Sequence, residues 1–60
     1  MIIEGRFVIM RYNRIGLQCP NGVVYSIVDV DIDNCSYKHG DMIKCRLIDE
    51  AKGICIIINN

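Results

Sequence analysis

Two apolar segments separated by a short polar turn end the chain, and this pattern limits the fold more than any other feature. In the range 43–47, apolar residues alternate with Lys44 and Arg46, and a period of two indicates a strand with one buried face. A glycine-containing polar break at 49–53 separates this segment from the apolar run Ile54–Ile58. A break of this length between two strand-like runs predicts a β-hairpin.

Three further strands are indicated in the first half of the chain. Strand formers are abundant from Gly5 to Tyr12, apolar and polar residues alternate from Ile15 to Cys19, and a third run extends from Val23 to Val30. The first two runs are separated by Asn13-Arg14. The turn Pro20–Gly22 separates the second and third, because proline fixes φ and Asn-Gly adopts positive φ readily. These signals predict a three-stranded antiparallel meander.

The segment from 29 to 40 connects the third strand to the closing hairpin and has no regular pattern. Its aspartates at 29, 31 and 33 alternate with apolar residues, so the segment could extend the third strand with an acidic edge. Calcium binding is not expected, since the sixth and twelfth positions of such a loop would hold Asn34 and Gly40 instead of glycine and glutamate. A short helical turn through Ser36–His39 fits the sequence, and no long helix is expected.

Length and charge restrict the class of protein. Sixty residues make one domain, 1–60, which buries only about 60% of the surface that the unfolded chain exposes. Seven basic and seven acidic residues give no net charge, so a nucleic-acid interface would have to be a local basic patch. There is no apolar run long enough to span a membrane, and the N-terminal residues lack the order of a signal peptide. We expect a soluble cytoplasmic protein that does not bind membranes.

The four cysteines are not spaced as metal ligands. No two of Cys19, Cys35, Cys45 and Cys55 form a CxxC motif, and His39 is not placed as a zinc-finger ligand. No metal and no cofactor is therefore expected. In a reducing compartment all four would be thiols that pack as small apolar residues. The alternative is a disulfide between Cys45 and Cys55, which could face each other across the hairpin.

The order of these elements predicts an all-β fold, a small five-stranded OB-like barrel. A short irregular or helical connector lies between strands three and four, and this position favours an OB barrel over an SH3-like barrel. The segments IIEGRF, IGLQCPNG, GDMIKCRLI and AKGICI carry a resemblance to one-domain OB proteins. The chain resembles bacterial translation initiation factor one and is similar to S1 RNA-binding domains. Gly5, Asn21-Gly22, Gly40-Asp41 and Lys52-Gly53 lie at spacings comparable to those of the family.

The resemblance implies binding of single-stranded RNA or DNA through backbone contacts. Arginine and tyrosine side chains placed together can bind phosphate and stack on a base, and each stacked base contributes about 1–3 kcal/mol. The side chains expected to bind nucleic acid are Arg6, Arg11, Tyr12, Arg14, Tyr25, Lys38, Lys44 and Arg46. Which face of the third strand Tyr25 occupies stays open. The alternative for the basic residues is that they keep the barrel soluble and protect its edges.

A protein-interaction module is the second functional hypothesis. The final strand is apolar on both faces, with Ile54, Ile56 and Ile58 on one and Cys55 and Ile57 on the other. Such a strand is normally buried on both faces, so the chain termini, a second copy of the chain or a larger protein would cover the exposed one. The chain would then be an inhibitor or mimic that docks on a larger protein. No enzymatic activity and no catalytic residue is expected, since the sequence has no nucleophile motif and no phosphate-binding glycine loop.

Overall fold

Five strands close into a small barrel in the computed structural model, which describes residues 1–58. The strands are β1 (Ile2–Ile9), β2 (Ile15–Gln18), β3 (Val24–Ile27), β4 (Met42–Asp49) and β5 (Ile54–Ile57). Around the barrel their order is β1-β2-β3-β5-β4. The pair β3–β5 is parallel and the other four pairs are antiparallel. The all-β, five-stranded, OB-like fold is confirmed, as are the meander β1–β3 and the closing hairpin β4–β5.

Strand β1 joins the two halves of the barrel. Its first half, Ile2–Arg6, pairs with β4, and its second half, Arg6–Ile9, pairs with β2. Arg6 therefore has a register partner on each side, Gln18 on β2 and Met42 on β4. The exposed Arg6 side chain consequently has neighbours on two other strands.

The barrel interior is filled by one aromatic, several aliphatic and two cysteine side chains. The buried residues are Phe7, Ile15, Leu17, Ile27, Ile43, Cys45 and Cys55. The connector between β3 and β4 adds Val30, Cys35 and Tyr37, which pack against this core. The Tyr37 ring lies 5.9 Å from the ring of Phe7, centroid to centroid. The irregular connector thus covers the core that the strands leave open.

The strand boundaries differ from the sequence-based ones at both ends of β1. We predicted a strand from Gly5 to Tyr12, whereas β1 covers Ile2–Ile9. The early start follows from pairing with β4, which is distant in sequence. The early end follows from a tight turn in which Tyr12 has φ 62° and ψ 32° and Asn13 has φ 58°, values that a strand does not contain.

The connector contains one short 3₁₀ turn, and it is not where the sequence suggested. The helical turn predicted at Ser36–His39 is wrong, because the turn lies at Ile32–Asn34. The Asp31 carboxylate caps it by accepting a hydrogen bond from the backbone N–H of Asp33 at 3.0 Å, a typical N-cap interaction. Strand β3 also ends earlier than predicted, since it stops at Ile27 and Asp29 adopts φ 61°.

All four cysteines are free thiols, as the first of the two sequence-based alternatives predicted. Cys45 and Cys55 do not face each other as register partners. Cys45 pairs with Ile57, and Cys55 pairs with Leu47, so the two buried thiols are diagonal neighbours across the hairpin.

Candidate nucleic-acid interface along strand β1

Three of the predicted basic residues share the outer face of β1 and β4. On β4, Ile43 and Cys45 are buried while Lys44 and Arg46 are exposed, which confirms the predicted division of this strand into two faces. Lys44 lies opposite Glu4 and Arg46 lies opposite Ile2. Arg6 is exposed on β1 two residues beyond Glu4. These three cations are therefore neighbours on one surface of the barrel.

Two more arginines and an aromatic ring lie at the end of β1. The turn Arg11–Arg14 reverses the chain between β1 and β2, and a hydrogen bond from the Arg14 N–H to the Arg11 carbonyl closes it at 3.4 Å. Its two central residues have positive φ, as the type I′ turns of hairpins require. Tyr12, one of these two, is 86% exposed. The backbone thus holds a free aromatic ring between Arg11 and Arg14.

A second turn, Lys38–Asp41, brings Lys38 beside the same strand. The Asp41 carboxylate accepts a hydrogen bond from the backbone N–H of Lys38 at 2.9 Å, and Gly40 adopts φ 98°. The turn is fixed to β1 by backbone hydrogen bonds in both directions between Phe7 and residues 40–41, each 2.7 Å long. The turn that carries the exposed Lys38 is consequently held against β1.

His39 in this turn fixes the end of β1. Its Nδ1 accepts a hydrogen bond from the backbone N–H of Ile9 at 2.9 Å, so the imidazole has its proton on Nε2 when this bond forms. Nothing in the sequence indicated this role for His39. A contact between residues thirty positions apart leaves no signal in the local pattern.

The charges of this neutral chain are divided between two regions. The basic track, as we call the region along β1, contains six of the seven basic residues and two acidic ones, a net side-chain charge of +4. Its basic members are Arg6, Arg11, Arg14, Lys38, Lys44 and Arg46, and its acidic members are Glu4 and Asp41. The balancing charge of −4 is in the connector and the β4–β5 turn, which hold five acidic residues and Lys52.

Tyr25 is the one predicted residue that the fold separates from the others. On β3, Ile27 is buried, Tyr25 is half-buried, and Val24 and Ser26 are exposed, so Tyr25 is on the inward-facing side of the strand. Its ring lies beside the β4–β5 turn, where a Cβ on Gly53 would be 3.7 Å from Tyr25 Cδ1. The outer face of β2 and β3 therefore has no aromatic or basic side chain, although this is a face that OB folds use for oligonucleotides.

Apolar side chains are interspersed with the cations of the track. Exposed Ile2 lies opposite Arg46 on one side, and half-buried Ile56 lies opposite it on the other. Met42, next to Arg6 in register, is 53% exposed, and Ile48 is 52% exposed where a bulge interrupts the β4–β5 pairing. The outer face of β1 and β4 thus combines positive charge with apolar area.

Three of the four thiols have raised pKa values, which makes them poor nucleophiles. Burial, with a contribution from the neighbouring Cys55 thiol, raises the pKa of Cys45 from 9.0 to about 12. Burial likewise raises the pKa of Cys55 and of Cys19. Because a reactive cysteine needs a lowered pKa, these thiols serve as packing residues. Within residues 1–58, no group of three or more histidine, cysteine or acidic side chains is arranged to hold a metal ion.

No family model, no curated protein and no solved structure matches this chain. Nor do residues 1–58 form any helix with the length and apolar character needed to cross a membrane. What the fold defines is a class of architecture, a closed five-stranded OB-like barrel with one basic side.

Proposed function

We propose that this protein binds single-stranded nucleic acid, RNA or DNA, along strand β1. The observation that carries the proposal is the division of charge, with a net +4 along β1 in a chain whose total charge is zero. Phosphate contacts supply most of the affinity of sequence-independent binding. A track of lysine and arginine is the electrostatic requirement for them.

The exposed aromatic ring supports a single-stranded ligand. Proteins that bind single strands combine a basic groove with aromatic side chains on which unpaired bases stack. Tyr12 supplies such a ring between two arginines, and its main chain is fixed by the turn and by a hydrogen bond from the Met10 N–H to the Arg14 carbonyl at 2.7 Å. Because its main chain is already fixed, Tyr12 has only its side-chain torsions to order when the ring stacks on a base.

Titration of fluorescently labelled single-stranded RNA and DNA tests the proposal. Fluorescence anisotropy at about 50 mM salt is expected to show binding that weakens steeply as salt increases, because each phosphate contact releases a counterion. A duplex of the same sequence is expected to bind more weakly, since its bases cannot reach Tyr12. Absence of binding to either single strand at about 50 mM salt would refute the proposal.

Docking onto a larger protein is the second candidate function, and the exposed apolar residues of β1 and β4 favour it. Ile2 on β1 and Met42 and Ile48 on β4 are all more than half exposed. Interfaces are enriched in arginine and methionine and depleted in lysine and acidic residues. Capture from native lysate with and without nuclease separates the two functions. A partner lost after nuclease treatment supports the first, and a partner of defined mass that resists nuclease supports the second.

A further inference from the structure

A groove of about 410 Å³ opens at the middle of β1. Its lining comes from β1, from the end of β2 with the following turn, and from the start of β4, namely Gly5, Arg6, Gln18, Cys19, Pro20, Gly22 and Met42. The volume is within the range of about 300–1,000 Å³ typical of small-molecule sites. Of the outer face formed by β2 and β3, only Gln18 at the end of β2 contributes to the groove.

Arg6 is the charged residue of this groove, and its guanidinium is held in place. One Nη1–H donates a hydrogen bond to the Gly40 carbonyl oxygen at 2.9 Å. A guanidinium has five donors in a fixed plane, so this bond leaves a pair of donors for a phosphate, which arginine binds in a bidentate manner. Arg6 is thus positioned to bind an anion at one edge of the groove.

The rest of the lining suits a planar, weakly polar ring. Met42 contributes a thioether, which makes favourable contacts with aromatic rings, and Pro20 contributes a rigid apolar surface. Cys19 is half-buried and its raised pKa keeps the thiol neutral. The amide of Gln18, exposed beside them, has both donors and an acceptor for the edge of a base.

Gly22 lines the groove with main-chain atoms alone. It adopts φ 90°, and a Cβ built on it would have no atom within 4 Å. The main chain therefore turns back here without adding a side chain to the lining. Gly5 at the floor has a different role, since any side chain there would collide with the main chain of Gln18.

We propose that this groove seats one nucleotide of the bound strand, with its phosphate on Arg6 and its base between Pro20 and Met42. The inference rests on the proposed function and adds to it a defined subsite. The strand then passes over β1 and β4, and Tyr12 stacks on a different base further along.

Mononucleotide titrations followed by amide chemical shifts test the subsite, with adenosine monophosphate, adenosine and inorganic phosphate as separate probes. Adenosine monophosphate is expected to shift the amides of Gln18, Cys19, Gly22 and Met42 and to bind more tightly than either fragment. Shifts spread evenly over the chain, or equal shifts with inorganic phosphate alone, would overturn the proposal.

Variants then separate the subsite from the proposed function. Arg6→Gln is expected to weaken binding of a labelled single strand about ten- to a hundred-fold, as loss of a charged bidentate contact does, and Arg6→Lys is expected to give a smaller loss. Arg46→Gln removes the same charge elsewhere on the track and is expected to weaken binding of the strand less than Arg6→Gln does. Met42→Ala and its control Ile48→Ala compare the apolar wall with an exposed residue outside it. Thermal unfolding of each variant confirms that it is folded.

Two outcomes of these titrations separate failure of the subsite from failure of the proposed function. Suppose that the wild-type protein binds the strand, that Arg6→Gln binds it no more weakly than Arg46→Gln, and that Met42→Ala binds it no more weakly than Ile48→Ala. This result would reject the subsite and leave the proposed function intact. A wild-type protein that fails to bind any single strand at about 50 mM salt would reject the proposed function, and the subsite with it.

Discussion

Gly5 on β1 lies directly against the main chain of Gln18 on β2. A Cβ built on Gly5 would be 2.5 Å from the Gln18 carbonyl oxygen and 2.9 Å from the carbonyl carbon, distances that real Cβ atoms do not reach. The absence of a side chain at this position therefore permits β1 to leave β4 and join β2.

Gly5→Ala is expected to lower the free energy of unfolding by about 1–3 kcal/mol, the usual cost of overpacking a close contact. Urea denaturation measures it. Gly22→Ala is the matched control, because its Cβ meets nothing and only the positive φ is strained, a cost of about 1 kcal/mol. A Gly5→Ala variant that unfolds at the urea concentration of the wild type would contradict the close packing of β1 on β2.

Tyr12 combines an unfavourable backbone conformation with full exposure. A left-handed conformation costs a non-glycine residue about 1–2 kcal/mol, so Tyr12→Gly is expected to raise the free energy of unfolding by about 1 kcal/mol. The same change is expected to weaken single-strand binding by about 1–3 kcal/mol, the contribution of one stacked base. Denaturation and anisotropy on the same variant measure both effects. If the variant is more stable and binds as tightly as the wild type, Tyr12 has no part in binding.

Tyr37 is expected to hold the connector on the barrel. Its ring packs against the fully buried Phe7, and truncation of a large aromatic residue in a core costs about 3–5 kcal/mol. Because Tyr37 is only half-buried, we expect Tyr37→Ala to lower the free energy of unfolding by about 2 kcal/mol, measured by urea denaturation. Tyr12→Ala is the control, because it removes the same kind of ring from an exposed position outside the core. Equal midpoints for the two variants would show that the connector does not cover the core.

The raised pKa of the Cys45 thiol predicts a loss of stability in alkali. Above pH 9 the unfolded chain loses the thiol proton while the folded chain keeps it up to about pH 12. The unfolded state is therefore favoured progressively across this window. We expect the free energy of unfolding to fall by about 1–4 kcal/mol between pH 9 and 12, at about 1.4 kcal/mol per unit of pKa difference. In Cys45→Ala the free energy of unfolding is expected to fall less over this pH range. If it falls as much as in the wild type, groups other than the Cys45 thiol cause the loss of stability.

Local patterns sufficed to predict the presence and order of the five strands and most of the turns between them. The alternation at 43–47 gave the exposed and buried faces of β4, and Pro20–Gly22 gave the turn between β2 and β3. The start of β1 could not be predicted, because Ile2–Glu4 becomes a strand only by pairing with residues forty positions away. The 3₁₀ turn at Ile32–Asn34 depends on one side-chain cap at Asp31, which several aspartates in the segment could equally have supplied.

The sequence was sufficient to select the candidate interface residues, but it did not indicate which of them lie close together in the fold. Basic residues at 6, 44 and 46 are spread over the sequence, and their proximity follows from the register between β1 and β4. The position of Lys38 beside β1 depends on backbone pairing of the turn 38–41 with Phe7. Gln18 and Met42 were missed because each is unremarkable locally and becomes a neighbour of Arg6 only in the closed barrel.

A comparison of Lys44→Gln with Lys52→Gln tests the proposed binding along the basic track. Lys44 lies on the track and Lys52 is the one basic residue outside it, so the two variants have the same net charge and differ only in where a lysine is lost. The measurement is the anisotropy titration of a labelled single strand at several salt concentrations. We expect Lys44→Gln to weaken binding and to reduce the slope of log K against log salt by about 0.7, the value for one phosphate contact, while Lys52→Gln behaves as the wild type. Equal losses in the two variants, or a slope unchanged by Lys44→Gln, would contradict binding along β1.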